Sequence, residues 1–458
     1  MRNKLKEALD YISERHIAEA AGAKKRRRGY YALGAVAAVL AAVLIINSSG
    51  LSLALRVKAV STAEYPKYTW KYRGPEMDTA RETLQDFFTA SISQCLSGAG
   101  SENQAYSPLN LYIALSLGAE LSSGGSRAQI LEIMNADSME SLRTQAHQIW
   151  HAAYYDDNNQ TLLANSLWLN KNLSYNSSVM DTLSDNYYTS VYQSDLGSAD
   201  SNRAIQTWLN EQTHGFLKDE VQNAGIPTDP DTFPVFALYS TVYFRAKWTE
   251  SVEFSSKYNT GGLFHGPDGD TDVTFMNKKE MQTTYYWGDH FGAVSLGMKD
   301  GSRMWLILPD EGRTVEDVLA SSQYMDMVLS SHAYEGNGEN GKYMKVNLSL
   351  PKFDIRAGGD LKENLEALGI TDIFHAETAD FSDSVTGDFP VWLTAVNQAT
   401  RVAVDEEGVT AASYIELPAA GAAPPPEEII DFVLDRPFIF VIANRYSLPL
   451  FAGVVNEP

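Results

Sequence analysis

The stretch from Asp405 to Phe438, DEEGVTAASYIELPAAGAAPPPEEIIDFVLDRPF, constrains the fold more than any other part of the chain. It opens acidic, passes through small residues, alternates, turns to Ala, Gly and Pro, and ends in an apolar strand pattern. A long irregular connection inside a compact domain is uncommon and is usually functional. The front half has period two. From Gly408, residues Val409, Ala411, Ser413, Ile415 and Leu417 fall on one face, and Thr410, Ala412, Tyr414 and Glu416 on the other. The first face is apolar apart from one hydroxyl and the second is largely polar. A strand with one buried face has this pattern; a solvated loop has no need of it. Gly408 permits the turn at which such a segment swings. Pro418 cannot donate a ladder bond, so it marks the limit of the strand. The loop therefore reads as a long connection whose front half has the pattern of a strand with one buried face.

Composition bounds the rest. The chain has 458 residues, with 44% apolar and 21% charged, which is the globular range. The net charge of −22 is unevenly placed: residues 1–60 carry +7 and the remainder −29. The acidic body excludes nucleic acid as a natural partner. Cys95 is the sole cysteine, so no intrachain disulfide forms, and the compartment is not decided by that count.

The N-terminus has its own logic. Residues 1–28 form a basic arm with a weak helical stripe, ending in Lys24-Lys25-Arg26-Arg27-Arg28. Gly29 to Leu55 then runs for 27 residues without a charge, beginning with YYALGAVAAVLAAVLII. Those 17 apolar residues are near the lower limit for a spanning helix, and NSSGLSLAL extends them to the interface. Basic residues before a span keep the N-terminus cytoplasmic. Residues 29–55 are thus expected to be an uncleaved transmembrane signal anchor in membrane lipid, single-pass, with the body outside the cell. A cleaved signal peptide and a basic nucleic-acid patch are the competing readings. Residues 56–76 read as a juxtamembrane linker, and 77–458 as one domain.

Within that domain, helical spacing covers Asp78–Leu96, Leu109–Leu121, Arg127–Met134, Ser201–Leu217 and Asp360–Leu368. Strand patterns cover Thr161–Leu169, Phe236–Trp248, two runs within Gly292–Leu308, Lys345–Ile355, Val391–Val404, Pro437–Ala443 and Leu450–Val455. Helices dominate early and strands late, which indicates an α+β fold.

No catalytic constellation emerges. His147 and His151 have the i, i+4 spacing of a zinc-binding helix but no third ligand nearby, and they read as surface or half-buried histidines. Asp268-Gly269-Asp270-Thr271-Asp272 begins like a calcium loop, yet Val273 stands where that loop needs Gly. G-x-S-x-G, P-loop and G-x-G-x-x-G motifs are absent. No enzyme, metal or cofactor is expected, and Cys95 reads as a core thiol.

The same residues, taken in order, resemble the serpins. Ser107-Pro108-Leu109 followed by ALSLGAELSSGGSRAQI is similar to the family's second helix and the turn after it. SNRAIQTWLNEQTHGFLKDEV resembles N-x-W-x-x-x-x-T-x-G-x-I through Trp208, Thr213 and Gly215. VYFRAKWTESVEF resembles V-Y-F-K-G-x-W-x-x-x-F through Trp248 and Phe254. LPKFDI, LGITDIF, ADFSDSV, FVLDRPFIFVI and SLPLFAGVVNEP follow in family order, so the resemblance covers about Asp78 to Pro458. It implies a serpin fold of three sheets and eight or nine helices, with an exposed reactive-centre loop at about 406–430, and the anchor with the missing disulfides suggests a bacterial-type envelope protein. A target serine protease attacks such a loop and forms a covalent acyl-enzyme. The loop then inserts into the main sheet, drags the enzyme along and distorts it.

The resemblance also assigns residues. Glu406, Glu407, Gly408, Val409, Thr410, Ala411 and Ala412 match the family's inhibitory hinge. Ser107, Asn110, Ser240, Trp248, Lys352 and Gln398 fall in the region the family uses to open the main sheet. Asn110 and Ser240 stand where the family carries serine and asparagine, which suggests exchanged hydrogen-bonding roles. Lys352 and Glu406 fall where a strand lysine pairs with a hinge acid. The family spacing from the hinge places the cut at Ala422–Ala423, with Ala420–Gly421 as the alternative. Small residues there suit elastase-like or subtilisin-like proteases, and no Lys or Arg lies between Arg401 and Arg436 to attract a trypsin-like one. Tyr414 is bulkier than usual and the loop longer. Insertion is energetically adequate: backbone bonds of about 1 kcal/mol each and apolar burial of roughly 1.5–3 kcal/mol per side chain sum to the order of 10 kcal/mol. The expected molecule is a monomeric, membrane-anchored extracytoplasmic inhibitor. A non-inhibitory serpin-fold surface protein is the alternative, and an unrelated anchored hydrolase a more distant one.

Overall fold

The structure is a computed structural model that describes residues 57–65, 75–156, 160–226, 233–329, 337–387, 389–409 and 427–458. The basic arm, the uncharged stretch, and Thr410, Ala411, Ala412, Ala422 and Ala423 lie outside the described residues. Among the described residues no helix is long and apolar enough to cross a membrane.

Nine α-helices and three sheets, of eight, ten and two strands, make up the described body. The eight-stranded main sheet is built around Phe236–Lys247, whose aromatic and β-branched run FALYSTVYFRAK suits a pleated surface. On one side it pairs antiparallel with Gln160–Asn170, from Gln160↔Arg245 to Leu169↔Phe236. Beyond that lie Thr189–Ser194 and the edge strand Lys58–Ser61. On its other side come Gly408–Val409, then Asn397–Val404, then Phe353–Asp360. The ten-stranded sheet includes the C-terminal strands Phe438–Ala443 and Pro449–Val455, which are buried throughout. Helix Pro108–Leu121 is buried over nearly its full length. Ser107 caps it by accepting from the Asn110 N–H, and proline fills its first turn, where no N–H is needed.

Several boundaries differ from the sequence pattern. Lys345–Ile355 alternates as one strand, but the chain changes sheet at Lys352. Gly341–Pro351 belongs to the ten-stranded sheet and Phe353–Asp360 to the main one. Period-two alternation reports a face, not a partner, so the switch is silent in the sequence. The helix expected over Ser201–Leu217 is Ala199–Gln212; His214 and Gly215 turn the chain at φ 51° and 74°. The strand expected from Val391 begins at Asn397. Asp268 lies in the hairpin turn between Thr260–Gly266 and Gly269–Gly288, and Asp270 and Asp272 lie in the second strand, paired with His265 and Leu263.

Residues 57–65 are part of the body. Lys58–Ser61 pairs antiparallel with the strand Thr189–Ser194, and the Ala63 N–H donates to Ser190 Oγ at 3.1 Å. Tyr65 stacks on Tyr154 and Trp150 at centroid distances of 5.6 and 6.1 Å. Burial pushes its phenol pKa well above the usual range. Tyr65→Ala should therefore lower unfolding stability by about 2 kcal/mol, read from a denaturant midpoint. The Lys58–Ser61 amides should exchange faster in the variant.

Candidate functional site

The site is the seam of the main sheet between Phe236–Lys247 and Asn397–Val404. Among the described residues these strands share no ladder with each other. Both pair with the two-residue strand Gly408–Val409: Gly408↔Lys247, Val409↔Ala246 and Val409↔Val404. Below Val409 the seam is parted by a cleft of about 930 Å³. Ser240, Thr241 and Val242 line one side and Gln398, Ala399 and Thr400 the other. Val409 is buried, at 3% exposure, against the core.

Local chemistry explains why the hinge sits there. Asp405 Oδ1 accepts from the N–H groups of Glu407 (2.8 Å) and Gly408 (3.2 Å), and the Asp405 N–H donates to the Gly408 carbonyl at 3.1 Å. This aspartate turn reverses the chain out of Asn397–Val404. Gly408 has φ 153°, and a Cβ on it would collide with the Ala246 carbonyl oxygen, so only glycine fits both conformation and space. The Trp248 indole N–H donates to the Asp405 carbonyl at 2.9 Å, and its backbone N–H to the Glu407 carbonyl at 3.2 Å.

Lys352 and Glu406 meet at 2.6 Å, and Asn259 Nδ2 donates to the same carboxylate oxygen at 2.6 Å. Burial pushes the Glu406 carboxyl upward, but the hydrogen bonds from Lys352 and Asn259 outweigh it and the net pKa is lowered. Lys352 occupies the position at which the chain changes sheet, so the ion pair ties the hinge to the seam between both large sheets.

A second set of bonds spans the cleft. Asn110 Nδ2 donates to the Ser240 carbonyl at 3.1 Å, and Ser240 Oγ donates to Asn110 Oδ1. Gln398 Oε1 accepts from the Ser107 N–H at 2.7 Å, and its Nε2 donates to the Ser107 carbonyl at 3.3 Å. Ser107 Oγ donates to the Leu450 carbonyl at 2.6 Å. The start of one helix is thereby bonded to both strands facing the cleft and to the ten-stranded sheet.

Six positions picked from the sequence thus form two connected clusters. Trp248 and Lys352 hold the hinge; Ser107, Asn110, Ser240 and Gln398 bridge the cleft. Glu406, Gly408 and Val409 are placed with the first cluster, and Glu407 contributes its backbone carbonyl. Asp405 and Asn259 were missed. An aspartate shortly before a glycine is a legible turn signal. Asn259 arrives from a distant turn and carries no local signal. The histidine pair lies elsewhere, with His151 Nε2 at 3.0 Å from His147 Nε2 and 2.9 Å from the Tyr188 hydroxyl. Among the described residues no group of three or more metal-ligating side chains occurs. Cys95 is half-buried, and burial pushes its thiol up to about 12.

A family model described as "Serpin (serine protease inhibitor)" matches residues 82–458. The chain belongs to the serpin family. Members of this family are generally non-catalytic inhibitors of serine proteases. Curated relatives include Serpin-ZX of Arabidopsis thaliana, 26% identical over 78% of this chain and 93% of its own length. Plasminogen activator inhibitor 1 of Bos taurus is 26% identical over 83% and 92%. Among solved structures, the native state of the thermophilic serpin tengpin aligns with TM-score 0.72 and 23% identity, covering 88% of this chain and all of that one. The Tenebrio molitor Serpin48 structure aligns with TM-score 0.67 at 21% identity, covering 84% and 100%.

Three outcomes follow for this serpin. Gly408→Ala should expel the hinge from the sheet, seen as faster amide exchange at Ala246 and Lys247. Asn110→Ala removes both bonds to Ser240 and should lower the native thermal midpoint, at a cost of about 1–2 kcal/mol. The depressed Glu406 carboxyl contributes stability that is present above its ordinary pKa and lost as pH falls through the folded one. Acidification should therefore loosen the hinge in the wild type, whereas Glu406→Gln should be loosened already at neutral pH and respond less.

Proposed function

We propose that this serpin is a membrane-anchored, extracytoplasmic suicide inhibitor of a serine protease, probed best with elastase-like or subtilisin-like enzymes. The parted seam with its first two residues already seated carries this reading. Continuing the register of Gly408↔Lys247 and Val409↔Ala246 places Ala411 opposite Phe244, Ile415 opposite Ser240 and Ala419 opposite Phe236, where the strand ends. Buried Val409 sets the parity, so Ala411, Ser413, Ile415 and Leu417 would face the core. Ile415 would enter level with Ser240 and Gln398, so the bonds across the cleft must yield for insertion to pass. A cut at Ala422–Ala423 leaves three residues beyond the slot to carry the acyl-linked enzyme. The uncharged stretch 29–55 supports the anchor, and the anchor with a cytoplasmic basic arm and no disulfides fits a bacterial cell-envelope protein acting as a monomer.

Incubation with an elastase-like protease should give a complex that survives a denaturing gel. Cleavage without a complex across several small-pocket proteases would instead support the non-inhibitory reading. Ala411→Arg forces a charge toward the core on insertion and should convert the inhibitor into a substrate, with complex replaced by cleaved serpin. Ala422→Arg should bring trypsin-like enzymes to that bond; cleavage remaining elsewhere would refute the assigned site.

A further inference from the structure

The strand pairings divide the body into two poles. Gly408 pairs with Lys247 at one end of the central strand, so the reactive loop leaves there. Phe236 marks the other end, opposite Leu169. Asn170 is next to Leu169 and pairs with Ser194, and Gln193 pairs with Lys58. The polypeptide therefore joins the body at the pole opposite the loop, two residues after Leu55 closes the uncharged stretch.

The same pole exposes aromatic side chains. Phe233 is 60% exposed beside Pro234, whose carbonyl accepts from Asn170 Nδ2 at 2.8 Å. Phe389 is 39% exposed, with its ring over Gly387, just past the bridge of Thr386 to Ser174. Trp392 is 36% exposed and precedes the Asn397 start of its strand, the end away from the loop. Single exposed aromatics are ordinary. Three of them lie at the pole by which residues 58–61 join the main sheet, while Tyr258, Trp287 and Tyr343 are exposed elsewhere on the body, and such side chains seat proteins at a lipid–water interface.

We infer that this pole, through Phe233, Phe389 and Trp392, rests on the bilayer surface, so that the reactive loop faces away from the membrane. The inference rests on the anchor proposed above. The charge of −29 outside residues 1–60 opposes attraction to anionic headgroups, so the contact is apolar and favours zwitterionic lipid. It also has a mechanical consequence. An inserting strand runs toward Phe236, so an acyl-linked protease would be carried from the outer pole toward the membrane.

The test uses the full chain in phosphatidylcholine vesicles with brominated acyl chains. Of the eight tryptophans, Trp150, Trp168, Trp208, Trp248 and Trp305 are buried, and Trp70 lies outside the described residues. Trp287, 39% exposed, sits on the sheet that takes the far end of the loop through Ile429–Val433. In a Trp70→Phe background, Trp392→Phe should lose most of the bromine quenching, whereas Trp287→Phe keeps it, both with unchanged circular dichroism. Flotation with quenching that survives Trp392→Phe, or that is lost with Trp287→Phe, overturns the inference and leaves the anchor standing. So does flotation without quenching. Failure to float removes the anchor and the inference together.

Discussion

Two strands held apart govern this structure. Phe236–Lys247 and Asn397–Val404 would complete each other's ladders if they closed, yet Gly408–Val409 wedges their upper ends. An open strand edge presents backbone donors and acceptors that need partners. The hinge is kept in place by an aspartate turn, the Trp248 indole and the Lys352–Glu406 pair. Lower down, the helix start at Ser107 to Asn110 bonds to Ser240 on one side and Gln398 on the other. These bonds are individually modest, about 1 kcal/mol each, and a full inserted strand outweighs them by the sum of its ladder and its buried face. In the proposed account the native arrangement is a latch across a favourable insertion that a cut in the loop would release.

Much of this was legible in the chain. The alternation after Gly408 announced a strand with an inner face, and the burial of Val409 agrees with that parity at its first residue. Trp248, Lys352 and Glu406 were assigned through family resemblance, and the structure brings all three to the hinge. What escaped detection depends on tertiary partners. The break at Lys352 between two sheets leaves the alternation intact, so it reads as one strand. Asn259 reaches Glu406 only because two distant segments converge. The edge strand Lys58–Ser61 lies in what reads as a polar linker, because an exposed edge needs no apolar pattern.

Membership of the serpin family gives these features a common purpose, and the sequence adds two local features. The Ala/Gly/Pro run supplies a small-residue bait, and the uncharged stretch near the N-terminus supplies an anchor in the proposed account. In the proposed account the strand directions decide where a captured enzyme travels.

The central claim is that the cleft is the berth for residues after Val409. Its most direct measurement is amide hydrogen exchange of Phe236–Lys247 and Asn397–Val404 before and after cleavage in the loop. The account predicts that the amides facing the cleft, at Ser240 and Ala399, exchange readily in the intact protein and become strongly protected once the loop is cut. Equal exchange before and after cleavage would contradict it.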